Sequence, residues 1–119
     1  MNLITLDFET YYDSKIKLGF KHQTTEEYIR DKRFEVIGVG VKVGDGVTEW
    51  FSGSHLDIQK YLSTLPWKDS ALLCHNTLFD GSILAWKFGI NILTNDLIWW
   101  IPFGLMLIAA RRAWLASVR

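Results

Sequence analysis

The sequence has one cysteine, two prolines, three histidines and no net charge, its 13 basic residues balancing 13 acidic ones. A single thiol excludes an internal disulfide and suits a reducing compartment. Cys74 lies in the apolar run Ala71-Leu72-Leu73-Cys74, the setting of a packed strand residue rather than a nucleophile. The lack of a basic excess excludes a nucleic-acid binder that works by bulk charge alone. It does not exclude a nuclease, because bound cations reverse the local sign of an acidic site. No basic leader with an apolar core precedes the first strand-like residues, so a cytoplasmic location is expected, that of a bacterial host if the chain is of phage origin. The apolar run from Leu97 to Ala110 is about 14 residues long, interrupted by Pro102 and Gly104, and a bilayer span takes roughly twenty. No obligate membrane partner is expected. What the chain does have is a core: 49% of its 119 residues are hydrophobic and six are Trp, enough for one domain.

The chemistry is concentrated at the start. Leu3 to Phe8 is rich in aliphatic and β-branched residues and reads as a buried strand, and it ends in Asp7-Phe8-Glu9-Thr10. Positions two apart in a strand share a face, so Asp7 and Glu9 point the same way. Two acids on one face of a core strand repel each other and lose hydration, which is unfavourable unless something positive sits between them. Divalent cations answer that need in two-metal phosphodiester chemistry. The alternative is a pair of solvated acids where a strand leaves the core.

Tyr11-Tyr12-Asp13 leads into a polar loop, Ser14 to Gln23, whose Lys15, Lys17 and Lys21 are either phosphate contacts or solvated charges. Thr24 and Glu27 have capping-box spacing at the start of a short helix that presents Tyr28 and Ile29. Phe34 to Val43 reads as a strand in which Gly38 and Gly40 signal a bulge or close backbone approach. Gly44-Asp45-Gly46 is a hairpin turn, and Val47 to Phe51 returns as the partner strand, giving a three-stranded antiparallel unit. Leu56, Ile58, Tyr61, Leu62 and Leu65 recur at helical spacing up to Pro66, with His55 in a surface or capping place. A short strand, Ala71 to Cys74, then meets His75-Asn76-Thr77-Leu78-Phe79-Asp80 at a strand-to-helix junction, and the helix runs to Gly89. Strand–helix units added to the antiparallel part make a mixed α/β sheet.

These two motifs, Asp-x-Glu at 7–9 and Asn76 followed by Phe79-Asp80, resemble those of the DEDD superfamily of 3′-5′ exonucleases. The similarity is closer to the proofreading exonuclease domain of bacteriophage family-A DNA polymerases, through Asp7 to Asp13, Thr25 to Asp31 and Phe34 to Val39. It covers about residues 2–95. The resemblance implies a ribonuclease-H-like fold, two Mg²⁺ or Mn²⁺ ions, and a single-stranded DNA 3′ end as substrate. It implies that Asp7 bridges both ions, Glu9 holds the ion on the nucleophile side, and Asp80 serves the other. One ion lowers the pKa of an attacking water and the other stabilises the leaving 3′ oxygen. Asn76 and Phe79 would position the terminal nucleotide, with Phe79 as pure core the equal alternative. Thr10, Tyr11 and Tyr12 would line the groove, and His75 would be structural. A polymerase domain outside this sequence is the implied partner.

The family also has a third motif, a Tyr or His with an Asp four or five residues on, and that motif is missing. After Asp80 the only acid is Asp96, and no Tyr or His follows it. Residues 1–96 therefore read as the N-terminal part of such a domain, and 97–119 as an apolar tail unlike the family. That tail reads as an out-of-frame or decayed end, with a buried or interfacial helix and a membrane-contacting segment as the alternatives. A helix over 99–110 would be apolar almost all round and would leave exposed hydrophobic surface. The rival functional expectation is a non-catalytic ribonuclease-H-like remnant with weak nucleic-acid or protein binding.

Overall fold

The computed structural model describes residues 2–90 and 99–100. The fold is a mixed α/β sheet with helices packed on it. Strand β1 (Asn2–Thr10) is central; β2 (Val36–Val43) pairs with it antiparallel, and β3 (Glu49–Ser52) pairs antiparallel with β2. On the other side of β1, β4 (Ser70–Cys74) runs parallel to it. A two-residue strand, β5 (Trp99–Trp100), lies parallel beside β4, so the order is β3-β2-β1-β4-β5. The three-stranded antiparallel unit and the added parallel strand are as the sequence pattern indicates. At Trp99 and Trp100 the backbone is strand, not the start of an apolar helix. The remainder of the 97–119 tail, and Asp96, lie outside the described residues.

β1 alternates as a half-covered central strand should: Ile4, Leu6 and Phe8 are buried, while Thr5, Asp7 and Glu9 are half-buried. Across the ladder Ile4, Leu6 and Phe8 face Val43, Val41 and Val39. Helix α2 (His55–Ser63) contributes Ile58 and Leu62 to the same core, and helix α3 (Thr77–Phe88) contributes Phe79, Ile83, Leu84 and Phe88. The Phe8 and Phe88 rings stack at 5.7 Å. Among the described residues no helix is long and apolar enough to cross a membrane.

The helix ends follow local chemistry. Helix α1 (Thr25–Arg30) opens on the full capping box of Thr24 and Glu27, and α2 on a second one, Ser54 with Asp57. Ser54, not His55, is thus the cap, and His55 lays its ring on Phe88 at 4.7 Å. Helix α3 stops where Gly89 takes a left-handed conformation, φ 68°. It starts at Thr77 because the Asn76 side chain caps it.

The two glycines of β2 sit directly across from the acids: Asp7 pairs with Gly40 and Glu9 with Gly38. Beyond Glu9 the register slips, Thr10 pairing with Val36, so β2 carries an extra residue, Ile37, opposite the end of β1. Gly38 is a site of close approach. A Cβ there would lie 2.3 Å from the Trp50 ring and 2.8 Å from the Phe51 carbonyl oxygen. Gly38→Ala should therefore destabilise the fold by about 1–3 kcal/mol, the range for forced overpacking. Urea unfolding measures it, and a midpoint equal to that of the parent would show that Trp50 moves aside freely.

Candidate functional site

Parallel pairing decides where the two motifs meet. Because β1 and β4 run the same way, their carboxyl ends lie at the same edge of the sheet, the end at which α/β folds place ligand sites. Pairing with β4 covers only Asn2 to Thr5 of β1, so β1 extends past the end of β4. The chain turns there at His75 and Asn76 and enters α3, whose first turn carries Asp80 back against the free edge of β1. The Asp80 Oδ1 accepts a hydrogen bond from the Phe8 N–H at 3.1 Å. That donor lies between the two acids in sequence and has no partner on β4, so the carboxylate completes the strand edge.

Asp80 is buried, 2% exposed. Burial pushes its pKa well above the usual carboxylate range; the Phe8 N–H opposes this, and the negative charges of Asp7 and Glu9 raise it further. Burial and nearby negative charge act on Cys74 as well, whose thiol is pushed up by burial first and then by Asp80 and Asp7. Cys74 is wholly buried and an inert core residue, as its apolar run indicates.

Asp7, Glu9, Thr10, Asn76, Phe79 and Asp80 all line one cavity of about 620 Å³; of the two tyrosines expected at the groove, Tyr12 lines it and Tyr11 does not. Asp7, Glu9 and Asp80 are its acids among the described residues. Asn76 has a structural task, its Oδ1 accepting from the Phe79 N–H at 3.3 Å to cap α3. Phe79 is 8% exposed, a core ring that also forms part of the cavity wall, so the two roles foreseen for it are not exclusive. Thr10 is held by Tyr28, whose hydroxyl lies 2.8 Å from Thr10 Oγ1 and 2.5 Å from the Tyr11 carbonyl oxygen.

The remaining wall comes from the loop between β1 and α1, with Tyr12, Phe20 and Lys21 facing the cavity. Lys15 and Lys17 do not line it. Sequence reading passed over Phe20 and gave Tyr28 only a core role. The available signal was an aromatic residue set among Gly19 and Lys21 in an otherwise polar loop.

The donor set suits a hard divalent cation: three carboxylates, oxygen only, around one cavity, one of them buried with no cation among the causes acting on it. Among the described residues no group of three or more His, Cys, Asp or Glu side chains is drawn together tightly enough to hold an ion as it stands. Fold and site together define a small α/β domain with an acidic cavity at the carboxyl ends of two parallel strands. No protein-family model, curated protein or solved structure matches the chain.

Since the folded-state pKa of Asp80 is raised, the folded protein binds more protons than the unfolded chain between the unfolded and folded values. Its contribution to stability is best below the unfolded pKa and declines as pH rises through that window. Asp80→Asn keeps an Oδ1 acceptor for Phe8 and removes the buried charge. In metal-free buffer at pH 8 the variant should melt higher than the parent, and the gap should close on acidification. A lower melting temperature than the parent at pH 8 would mean that the ionised carboxylate is stabilising.

Proposed function

We propose that this chain carries the first two motifs of a DEDD-type 3′-5′ exonuclease on a ribonuclease-H-like sheet, as part of a phage-type DNA polymerase acting on single-stranded 3′ ends. One observation carries the reading. Asp7 and Glu9 at the end of β1, and Asp80 on α3, come from segments about seventy residues apart and line one cavity. The strand order, an antiparallel three-strand unit joined through β1 to parallel β4, supports the fold assignment.

Asp7, Glu9 and Asp80 would hold the divalent ions, which when bound supply activation of a water and charge stabilisation on the departing 3′ oxygen. The chain's own work is positional. The Phe8 N–H holds Asp80 in place, the ladder through Gly40 and Gly38 holds the two strand acids on one face, and Tyr28 holds the Thr10 hydroxyl beside them. Such preorganisation is where phosphoryl-transfer enzymes gain most of their rate.

A second reading, binding without turnover, is favoured by the acid count. No fourth carboxylate lines the cavity among the described residues, and Asp96 is the only acid after Asp80 in the sequence. The 119-residue chain should bind Mn²⁺, with affinity falling sharply in Asp7→Ala, yet degrade a labelled single strand orders of magnitude more slowly than a complete site would. Titration calorimetry and a gel assay test the two parts. Mn²⁺ binding indifferent to Asp7→Ala sinks the site assignment. Brisk Mn²⁺-dependent hydrolysis, abolished in Asp7→Ala, overturns the binding-only reading and supports the enzyme.

A further inference from the structure

Phe20 is a large apolar side chain that the chain keeps 53% exposed at the cavity wall. Exposed aromatics on mobile loops are unremarkable, but this loop is stapled at several points. Asp13 and Leu18 exchange backbone hydrogen bonds of 3.0 Å, and the Asp13 side chain caps the 3₁₀ turn Ser14–Ile16. Leu18, beside Phe20, is buried in the main core. The Gly19 N–H donates to Gln23 Oε1 at 3.0 Å, Gln23 Nε2 donates to Asp31 Oδ2 at 2.9 Å, and Arg33 ties Asp31 back to the Ile16 carbonyl oxygen. Gly19 has φ 131°, and a Cβ there would press on Tyr12 at 3.2 Å. The backbone is thus committed to carrying Phe20 in one place.

The ring itself is also oriented. It meets Phe79 at 4.8 Å with an interplanar angle of 68°, and Tyr28 at 5.2 Å with 72°, while Phe79 and Tyr28 lie parallel. Both contacts are edge-to-face, an arrangement that locks a ring without stacking it. Phe20 stays half exposed and lines the same cavity as Asp7, Glu9 and Asp80, with Lys21 adjacent. A half-exposed ring, oriented by its neighbours, beside a cation and in a cavity that also carries three acids matches a nucleotide: base on the ring, phosphate near the lysine, scissile bond toward the carboxylates.

We infer that Phe20 is the stacking platform for the base of the 3′-terminal nucleotide, a substrate-binding residue of the proposed exonuclease site; this rests on the function proposed above. Stacking tolerates any base, since each has a π-face, so the site would accept all four. Lys21 adds a contact to the phosphate that depends on salt but not on sequence.

The test uses the full chain in Ca²⁺, with an oligothymidylate of about eight nucleotides carrying 2-aminopurine at its 3′ terminus, and a matched strand whose terminal base is absent. The parent should quench the 2-aminopurine on binding and bind the complete strand about tenfold more tightly than the abasic one. Phe20→Ala should lose both the quench and the preference, and Phe20→Trp should keep both. Circular dichroism checks that each variant is folded. If the parent binds the strand and Phe20→Ala retains the quench and the tenfold preference, Phe20 is not the platform, although the site reading survives. If the parent binds neither strand, the exonuclease reading and this inference fall together.

Discussion

The hydrogen bond from the Phe8 N–H to Asp80 is the contact on which the arrangement of the site depends. β1 is longer than the strand beside it, and its edge past Thr5 leaves a backbone donor that burial makes costly to leave unpaired. Asp80 fills that need from the first turn of α3 and is thereby held at the β1 edge against Phe8, the residue between Asp7 and Glu9 in the strand. One bond thus closes the strand edge, docks the helix and fixes the third acid. The helix docks on apolar contacts as well, through Ile83, Leu84 and Phe88, but those would tolerate rotation that the hydrogen bond does not.

The same bond sets the electrostatic problem. A carboxylate taken out of water beside two others is destabilising, and a single backbone N–H offsets only part of that cost. The protein keeps a carboxyl group where apolar packing would be more stable. Conflicts of this kind between stability and position occur in functional clusters and in structural polar networks alike. The glycines opposite Asp7 and Glu9 belong to the same logic: they bring no side chain to the acidic face and let the Trp50 ring lie against Gly38.

Around this acidic edge stands an aromatic frame. Tyr28 meets Phe34 edge-on at 5.0 Å and lies parallel to Phe79, while its hydroxyl reaches Thr10 and Tyr11. Helix α1 is only six residues long, too short to be stable alone, and it holds by its capping box, by this tyrosine and by Arg30 laid over Trp86 of α3 at 4.3 Å. A small helix thereby joins the end of β1, the start of α3 and the loop that carries Phe20. The cavity wall is built from the core outward, and its rim inherits the core's rigidity.

Much of this was legible in the residues themselves. The alternation Ile4, Leu6, Phe8 requires a strand and puts Asp7 and Glu9 together on one face; Thr24 with Glu27 starts a helix; Gly44-Asp45-Gly46 turns a hairpin; Gly89 stops α3. These are local matters, settled by steric periods of two and 3.6 and by hydrogen bonds within a few residues. Three things were settled only by the tertiary structure. The placement of β4 directly beside β1 brought Asp80 to the acids, and which strands become neighbours follows from how the whole sheet is packed, not from either strand's own residues. Asn76 was drawn into capping α3, a role that depends on where the preceding strand ends. Phe20 was placed on the cavity by a chain of contacts running through Gln23, Asp31 and Arg33, and no window of neighbouring residues contains that circuit. Local sequence determined which side chains share a face; only the packed chain decided which faces meet, because that choice belongs to the burial of the whole core.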